Sequence, residues 1–230
     1  MAAPAEARAV ASALGLPAST AEVEWTAHRT GSAIDLVVTG VGKANAAGGV
    51  ARVFDAVAPA AVVSVGIGGA LPGSDLDLLD VVLGTRSVFA DEGMVDAGGF
   101  TPISQMGFPP FGRRTDGDAA WDGMGFDGVE AIRALVRPHI AREGVIATVS
   151  TCSASDDGAR EIVQRTGAIV EGMEGAAVGL ACARLGCAFS ELRVVSNTTG
   201  ERGRQRWDLP GALQRIESLI ARLREDWERG

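Results

Sequence analysis

Two apolar segments that each run into glycines restrict what this chain can fold into. Residues 34–39 are rich in β-branched side chains and lead into the Gly-Val-Gly of residues 40–42, after which the Ala-rich residues 43–57 favour a helix. A second apolar run, residues 61–65, leads into another glycine-rich stretch, residues 66–70. Strand, glycine turn and helix in succession are typical of α/β folds, and continuous apolarity is typical of a strand covered on both faces.

The rest of the sequence continues this alternation. Residues 5–14 predict an opening helix that ends at Gly15, and apolar side chains at three- and four-residue steps predict a closing helix over residues 209–227. Residues 90–128 are rich in Gly, Pro and Asp and predict a long irregular excursion. Further strands are predicted over residues 80–89, 145–150, 168–170 and 188–196, and further helices over residues 127–142, 157–166 and 173–185. We expect one α/β domain, residues 1–230, built on a single layered sheet.

Composition excludes several functional classes. Apolar residues make up 47% of the chain and charged residues 22%, which indicates a packed core rather than a disordered chain. The net charge of −8 argues against a nucleic-acid partner, and no uncharged stretch is long enough to cross a membrane. The three cysteines form no C-x-x-C pair, and no basic leader opens the chain. We therefore expect a cytoplasmic protein without a disulfide framework or a zinc cluster.

Ligands of α/β sheets collect at the carboxyl ends of the strands, so the segments that follow the predicted strands are the candidate site. Gly66, Gly68 and Gly69 would let backbone N–H groups approach an anion or a sugar, or they form a tight turn without a ligand. Neither a third fingerprint glycine nor a P-loop lysine follows them, so no nucleotide cofactor is predicted.

Several polar residues in these segments have both a structural and a functional interpretation. Glu171 and Glu174 flank Gly172 and Met173 before a predicted helix, where a carboxylate also interacts favourably with the helix dipole. Arg193 lies in an apolar strand and needs a partner if it is buried, either a nearby glutamate or a ligand.

The cysteine and the histidines favour structural interpretations. Cys152 precedes Ser153, but no histidine is placed to lower its pKa, so we expect it to pack or to line a ligand wall. His28 and His139 have no nucleophile beside them, and we expect both to be structural.

Four segments together resemble one enzyme family, the nucleosidases and phosphorylases related to methylthioadenosine nucleosidase and purine nucleoside phosphorylase. They are GVGKANAA at residues 40–47, GIGGAL at residues 66–71, VEGMEGAA at residues 170–177 and RVVSN at residues 193–197. The resemblance implies a three-layer α/β/α fold with a mixed sheet flanked by helices. It also implies cleavage of a purine nucleoside without a metal or cofactor, and a homo-oligomer, either a dimer or a tetramer.

The resemblance also assigns roles to residues. It implies that Glu174 holds the ribose hydroxyls with Met173 beside the sugar, that Glu6 binds the attacking water, and that Arg193 lies near the same water or anion. Relatives usually run a strand directly into the segment that matches residues 3–7, whereas here Met1 and Ala2 precede it. The predicted substrate-binding residues are Gly66, Gly68, Gly69, Cys152, Ser153, Glu171, Gly172, Met173 and Ser196.

The identity of residue 197 predicts the base. Adenine-specific members carry an aspartate that protonates the purine, and Asn197 cannot transfer that proton, but its amide can donate and accept beside a 6-oxopurine. Residues 196–208 resemble the futalosine hydrolases of the family, which act in the alternative route to menaquinone. We therefore predict futalosine or inosine over methylthioadenosine.

Three alternatives remain open from the sequence. One is a phosphorylase that uses the glycine turn and Arg193 to hold phosphate, and another is a protein that binds nucleosides without cleaving them. In the third, Asp208 supplies the proton that Asn197 cannot, although Asp208 is also placed to cap the closing helix.

Overall fold

The computed structural model describes residues 1–112 and 124–229. Its helices are α1 (Pro4–Leu14), α2 (Lys43–Val57), α3 (Glu130–Val136), α4 (Asp156–Thr166), α5 (Gly175–Leu185) and α6 (Leu209–Arg229). Its strands are β1 (Ala27–His28), β2 (Leu36–Val37), β3 (Ala61–Ala70), β4 (Val81–Phe89), β5 (Gly93–Asp96), β6 (Gly99–Pro102), β7 (Gly125–Asp127), β8 (Arg142–Thr148), β9 (Val170–Gly172) and β10 (Ala188–Thr198). The predicted order of strands and helices is confirmed.

Three predicted elements are wrong in extent. The helix predicted over residues 127–142 is shorter, Glu130–Val136, and gives way to a 3-10 turn, because Pro138 has no backbone N–H to continue the helical hydrogen bonds and its ring crowds the carbonyl four residues earlier. The strand predicted over residues 34–39 is paired only at Leu36–Val37. Within the predicted irregular stretch, residues 93–102 form a hairpin and Gly125–Asp127 form a strand, while residues 113–123 lie outside the described residues.

The main sheet is mixed and has the strand order β10-β3-β9-β8-β4-β7. β10 runs parallel to β3 along its whole length, and β4 runs parallel to β8. β10 also pairs with β4 in antiparallel orientation, so the pairings of these strands form a closed circuit. The ends of β3, β9 and β10 therefore lie side by side, which brings the predicted site segments together.

Helices cover the sheet from two sides. α1 and α6 pack together over one core, in which Leu192 and Val194 of β10 contact the apolar side chains of both helices. α2 and α5 pack together on the other side around Phe126 and Phe189. This is the layered α/β arrangement that the sequence predicts. Within residues 1–112 and 124–229, no helix combines the length and apolarity needed to cross a bilayer.

Candidate active site

Arg193 lies at the centre of the candidate site and is 2% exposed. Its Nε donates to Glu191 Oε1 at 2.7 Å, and its Nη2 lies 3.3 Å from Glu174 Oε2. Nη2 also donates to Ser64 Oγ, and Nη1 donates to the carbonyl of Ile67, both at 3.3 Å. The guanidinium is thus held by two carboxylates and by strand β3, and its geometry is fixed without a ligand.

The carboxylates around Arg193 outnumber it. Burial disfavours the charged guanidinium, but Glu191, Glu174 and Glu6 outweigh that effect, so the pKa of Arg193 lies above its ordinary value. Arg193 is therefore permanently charged, and its charge is already matched inside the protein. The surplus of carboxylates gives the surrounding space a negative potential, which favours a cation over an anion.

Glu174 is placed by two helix N-termini. It is the residue before α5, and its Oε1 accepts from the backbone N–H of Gly42, the residue before α2, at 3.1 Å. Gly42 has a φ of 93°, which favours glycine, so this turn aims its N–H at the carboxylate. Helix N-termini carry partial positive charge, and together with Arg193 they hold a negative side chain in a buried position.

Glu6 closes the first turn of α1 and also reaches the sheet. Its Oε2 accepts from the Ala3 amide at 2.9 Å, and its Oε1 accepts from the Ile67 amide at 2.8 Å. A Cβ placed on Gly66 would lie 2.8 Å from Glu6 Oε1 and 2.4 Å from Arg193 Nη1, so the carboxylate and the guanidinium are neighbours across that glycine. The structure brings Glu6, Glu174 and Arg193 together, as the sequence predicts.

The glycine turn predicted at residues 66–69 is wrong, because these glycines lie inside strand β3. They are required for close packing rather than for a turn. A Cβ on Gly68 would lie 2.5 Å from Val170 Cγ1, and one on Gly69 would lie 2.7 Å from Thr199 Cγ2. The real glycine turn is at Gly40 and Gly42, both with positive φ.

Glu171 and Ser153 connect the loop after β8 to strand β9. The buried Glu171 carboxylate accepts from the Ser153 amide at 2.9 Å and from Ser153 Oγ at 2.6 Å. Burial raises the pKa of Glu171, and the two hydrogen bonds act in the opposite direction. The neighbouring Cys152 is exposed, and partial desolvation with the Glu171 and Glu174 carboxylates raises the pKa of its thiol. This environment disfavours a thiolate nucleophile.

Asn197 lies at the end of β10, half-buried beside Gly69. Its Oδ1 accepts from Ser196 Oγ at 2.8 Å, and its Nδ2 donates to the Thr198 carbonyl at 3.0 Å. A carboxamide offers two donors and two acceptor positions, so one of each remains for a ligand.

Asp208 caps α6, as expected. Its Oδ1 accepts from the Gly211 amide at 2.9 Å, and its own amide donates to the Ser196 carbonyl at 2.8 Å. Through this hydrogen bond the Asp208 carboxylate stabilises the first turn of α6.

Sequence reasoning missed Glu191, which is fully buried and contacts both Arg193 and the Ser87 hydroxyl. The signal was present, since residues two apart on a strand share a face, and Glu191 and Arg193 are the two charged residues of β10. Two glycines make room for this pair. A Cβ on Gly175 would lie 1.8 Å from Glu191 Oε2, and one on Gly172 would lie 3.2 Å from Arg193 Cζ. Met173, between them, is half-buried.

Gly175→Ala is expected to lower the melting temperature, because the new methyl group overlaps the Glu191 carboxylate. Overpacking of this kind costs about 1–3 kcal/mol, which corresponds to a fall of roughly 3–10 °C for a chain of this size. Thermal unfolding followed by circular dichroism measures the change. Gly203→Ala is the matched control, since a Cβ there has nothing within 4 Å. Equal melting temperatures for the two variants would contradict this packing.

A sequence profile matches almost the whole of this chain. It describes the Phosphorylase superfamily, and the match extends over residues 6–224. The chain belongs to the Phosphorylase superfamily. The matched range of this superfamily member includes Glu6, Glu174, Glu191 and Arg193.

Two curated relatives and one solved structure are similar to this superfamily member over most of its length. The futalosine hydrolase of Acidothermus cellulolyticus is 34% identical to it over 97% of this chain and 88% of its own length. The futalosine hydrolase of Thermus thermophilus is 31% identical over 80% of this chain and 78% of its own length. The crystal structure of Helicobacter pylori 5′-methylthioadenosine/S-adenosylhomocysteine nucleosidase covers 100% of this chain and 96% of its own at 20% identity, with a TM-score of 0.71. That structure shares the fold.

Proposed function

We propose that this superfamily member hydrolyses the N-glycosidic bond of futalosine, releasing hypoxanthine and dehypoxanthine futalosine. The futalosine hydrolase of Acidothermus cellulolyticus, which is 34% identical over nearly the whole chain, supports the substrate. The observation that carries the reaction type is the buried Arg193, whose charge is matched by Glu191, Glu174 and Glu6. These carboxylates stabilise positive charge on the sugar. They also hold the guanidinium in ion pairs within the protein.

The proposed reaction breaks the bond between the sugar C1′ and the purine nitrogen. The bonding electron pair leaves with the purine, and the sugar passes through an oxocarbenium-like transition state whose positive charge nearby carboxylates stabilise. Glu174 accepts hydrogen bonds from the ribose hydroxyls. Glu6 orients a water whose oxygen bonds to C1′, and it accepts a proton from that water. The departing hypoxanthine takes up a proton from solvent.

Hydrolysis is favoured over phosphorolysis by the surroundings of Arg193. A phosphorylase needs a cationic site that is open to phosphate, whereas this guanidinium already contacts Glu191, Glu174, Ser64 and the Ile67 carbonyl. The residues that the phosphorylase alternative assigns to phosphate, at positions 66–69, form a strand rather than an anion-binding turn. The electrostatic potential of this site is negative, so a neutral water enters it at a lower free-energy cost than a phosphate dianion.

We assign the choice of base to Asn197, whose amide oxygen accepts a hydrogen bond from Ser196 Oγ. The remaining donor and acceptor positions of the Asn197 amide suit hypoxanthine, which presents an oxygen acceptor and a ring N–H. Gly69 lies against the amide, and we propose that Ser153, Glu171 and Met173 complete the substrate wall.

Asn197→Asp is expected to shift specificity toward 6-aminopurine nucleosides, because aspartic acid transfers a proton to the purine and suits an amino group. The kcat/KM ratio of methylthioadenosine to futalosine should rise by about 10²-fold, because a buried hydrogen-bonding group left unpaired costs about 1–3 kcal/mol and each 1.4 kcal/mol is a factor of about ten. Steady-state base release from both substrates measures it. Asn45→Asp is the matched control, since Asn45 is exposed on the first turn of α2. An unchanged ratio would remove Asn197 from base selection.

The proposal is tested by incubating the purified protein with futalosine, inosine and methylthioadenosine, with and without phosphate. We expect hypoxanthine from futalosine at a rate that phosphate does not change. Release that requires phosphate would identify a phosphorylase, and binding without release from any substrate would identify a nucleoside-binding protein.

We also propose that this protein acts as a single domain, residues 1–230, in the cytoplasm, within the futalosine route of menaquinone biosynthesis. The resemblance to nucleosidases favours a homo-oligomer, a dimer or a tetramer, in which a neighbouring copy completes each pocket. Light scattering on purified protein tests this point, and a monomer with full activity would contradict it.

A further inference from the structure

Asp91 follows strand β4 and bonds to two separate segments through its two carboxylate oxygens. Oδ1 pairs with the ammonium of Lys43, the first residue of α2. Oδ2 accepts from the backbone N–H of Ser150, which lies two residues after β8. The carboxylate therefore ties the start of α2 to the loop that follows β8.

The ammonium of Lys43 is held in this position from three sides. Besides its bond to Asp91, its Nζ lies 3.4 Å from Glu92 Oε1 and 5.3 Å from the centroid of the Phe89 ring. The Lys43 side chain is only 14% exposed, so solvent and salt screen this ion pair less than they screen a surface pair. The pair with Asp91 therefore restricts the first turn of α2.

The bond to Ser150 continues the pairing of β4 and β8 beyond the end of the sheet. The Ala90 amide donates to the Thr148 carbonyl at 3.0 Å, as in a parallel ladder. The next bond of such a ladder would join the Ser150 N–H to the Ala90 carbonyl, but that carbonyl accepts from Arg165 Nη2 at 3.0 Å. Asp91 supplies the acceptor for Ser150 and so fixes the start of the loop after β8.

The α2 end of this connection lies beside Glu174. Gly42 immediately precedes Lys43, and its amide donates to Glu174 Oε1 at 3.1 Å. Glycine has more backbone freedom than any other residue, so the direction of this N–H depends on what holds the neighbouring residues. The bond from Lys43 to Asp91 keeps the Gly42 N–H aimed at the Glu174 carboxylate.

The other end of the connection lies beside Glu171. Ser153, in the same loop as Ser150, donates its amide to the Glu171 carboxylate at 2.9 Å and its hydroxyl at 2.6 Å. Both segments that Asp91 joins therefore hold a buried glutamate of the candidate site.

We propose that Asp91 is a positioning residue for the reaction, which holds the turn at residues 40–43 so that Glu174 meets the sugar in a fixed geometry. The inference rests on the proposed function. A misplacement of about 1 Å at an active site can cost about 10²-fold in rate. Nucleoside binding is spread over many contacts, so loss of this bridge should lower kcat much more than it raises KM.

Asp91→Asn removes the charge that holds Lys43 and keeps an acceptor for Ser150. We expect it to lower kcat for futalosine about tenfold with KM within about twofold of wild type. Hydrogen exchange at the Gly42 amide should become at least about fivefold faster. Asp157→Asn is the matched control, because Asp157 is an aspartate of α4 whose side chain is 87% accessible. It should keep wild-type kcat and wild-type exchange at Gly42.

The same substitution in a Glu174→Gln background separates positioning from a general loss of structure. If Asp91 acts through the Glu174 carboxylate, adding Asp91→Asn to Glu174→Gln should change kcat by less than about twofold, because residues that act as one unit are not additive. A fall of about tenfold in both backgrounds would indicate an independent structural effect and would overturn the proposal.

The outcome for the wild-type protein distinguishes this inference from the proposed function. A wild-type protein that releases no base from futalosine would contradict both. Wild-type turnover that Asp91→Asn leaves unchanged would contradict the positioning role alone, and so would unchanged exchange at the Gly42 amide in that variant.

Discussion

Glu174→Gln is expected to lower kcat for futalosine by about 10³-fold while nucleoside binding changes little. Glutamine is nearly isosteric and still hydrogen-bonds the ribose hydroxyls, so the ground-state complex keeps its contacts. The negative charge that stabilises the sugar cation is lost, and removing one preorganised electrostatic contact from an active site typically costs 10²–10³-fold or more. Single-turnover base release gives the rate, and calorimetric titration with a slowly cleaved nucleoside gives the affinity.

The matched control for this variant is Glu161→Gln, because Glu161 is an exposed glutamate of α4 whose side chain is 66% accessible. It should keep wild-type turnover. A Glu174→Gln protein that retains turnover within a few-fold of wild type would show that the carboxylate does not act on the sugar. A variant that loses affinity for the nucleoside while its kcat is unchanged would instead assign Glu174 to binding alone.

Arg193→Met is expected to destabilise the protein strongly, because it leaves Glu191 and Glu174 buried without their cation. Removing one member of a buried ion pair costs about 3–5 kcal/mol, a large share of a total stability of roughly 5–15 kcal/mol. The double variant Arg193→Met with Glu191→Gln removes a charge of each sign and keeps an acceptor for Ser87. It should regain at least half of the lost stability without regaining activity. Urea denaturation of both variants measures the difference.

This comparison separates the two roles of the buried cluster. If the double variant is no more stable than Arg193→Met alone, the charge balance between Glu191 and Arg193 is not what holds this part of the core. If the double variant is active, Arg193 has no part in positioning Glu174 or the water. Wild-type stability of the single variant would contradict the buried network altogether.

Local patterns predicted much of this fold, and the failures have a common cause. The helix stop at Gly15 and the cap at Asp208 were predictable because a few neighbouring residues determine them. Residues 66–69 looked like a turn because glycine permits one. Their real constraint comes from Arg193, Val170 and Thr199, which are more than a hundred residues away in the chain. Only tertiary packing decides between those two uses of glycine.

In the candidate site, too, local sequence predicts some residues and tertiary packing determines the others. Glu174 and Arg193 stand in recognisable motifs, and the structure brings them together with Glu6. Glu191 carries no motif, and its importance depends on total burial against Arg193 and on the space that Gly175 leaves. A charged residue two positions from a strand arginine was the available signal.

In the proposed reaction water, rather than phosphate, attacks C1′ of the sugar as its bond to the purine breaks. The most direct test is a single turnover of futalosine in ¹⁸O-enriched water containing phosphate, with the sugar product analysed by mass spectrometry. Water addition at C1′ predicts one ¹⁸O atom in dehypoxanthine futalosine and one equivalent of free hypoxanthine. An unlabelled sugar 1-phosphate, or intact futalosine after many times the expected turnover time, would contradict it.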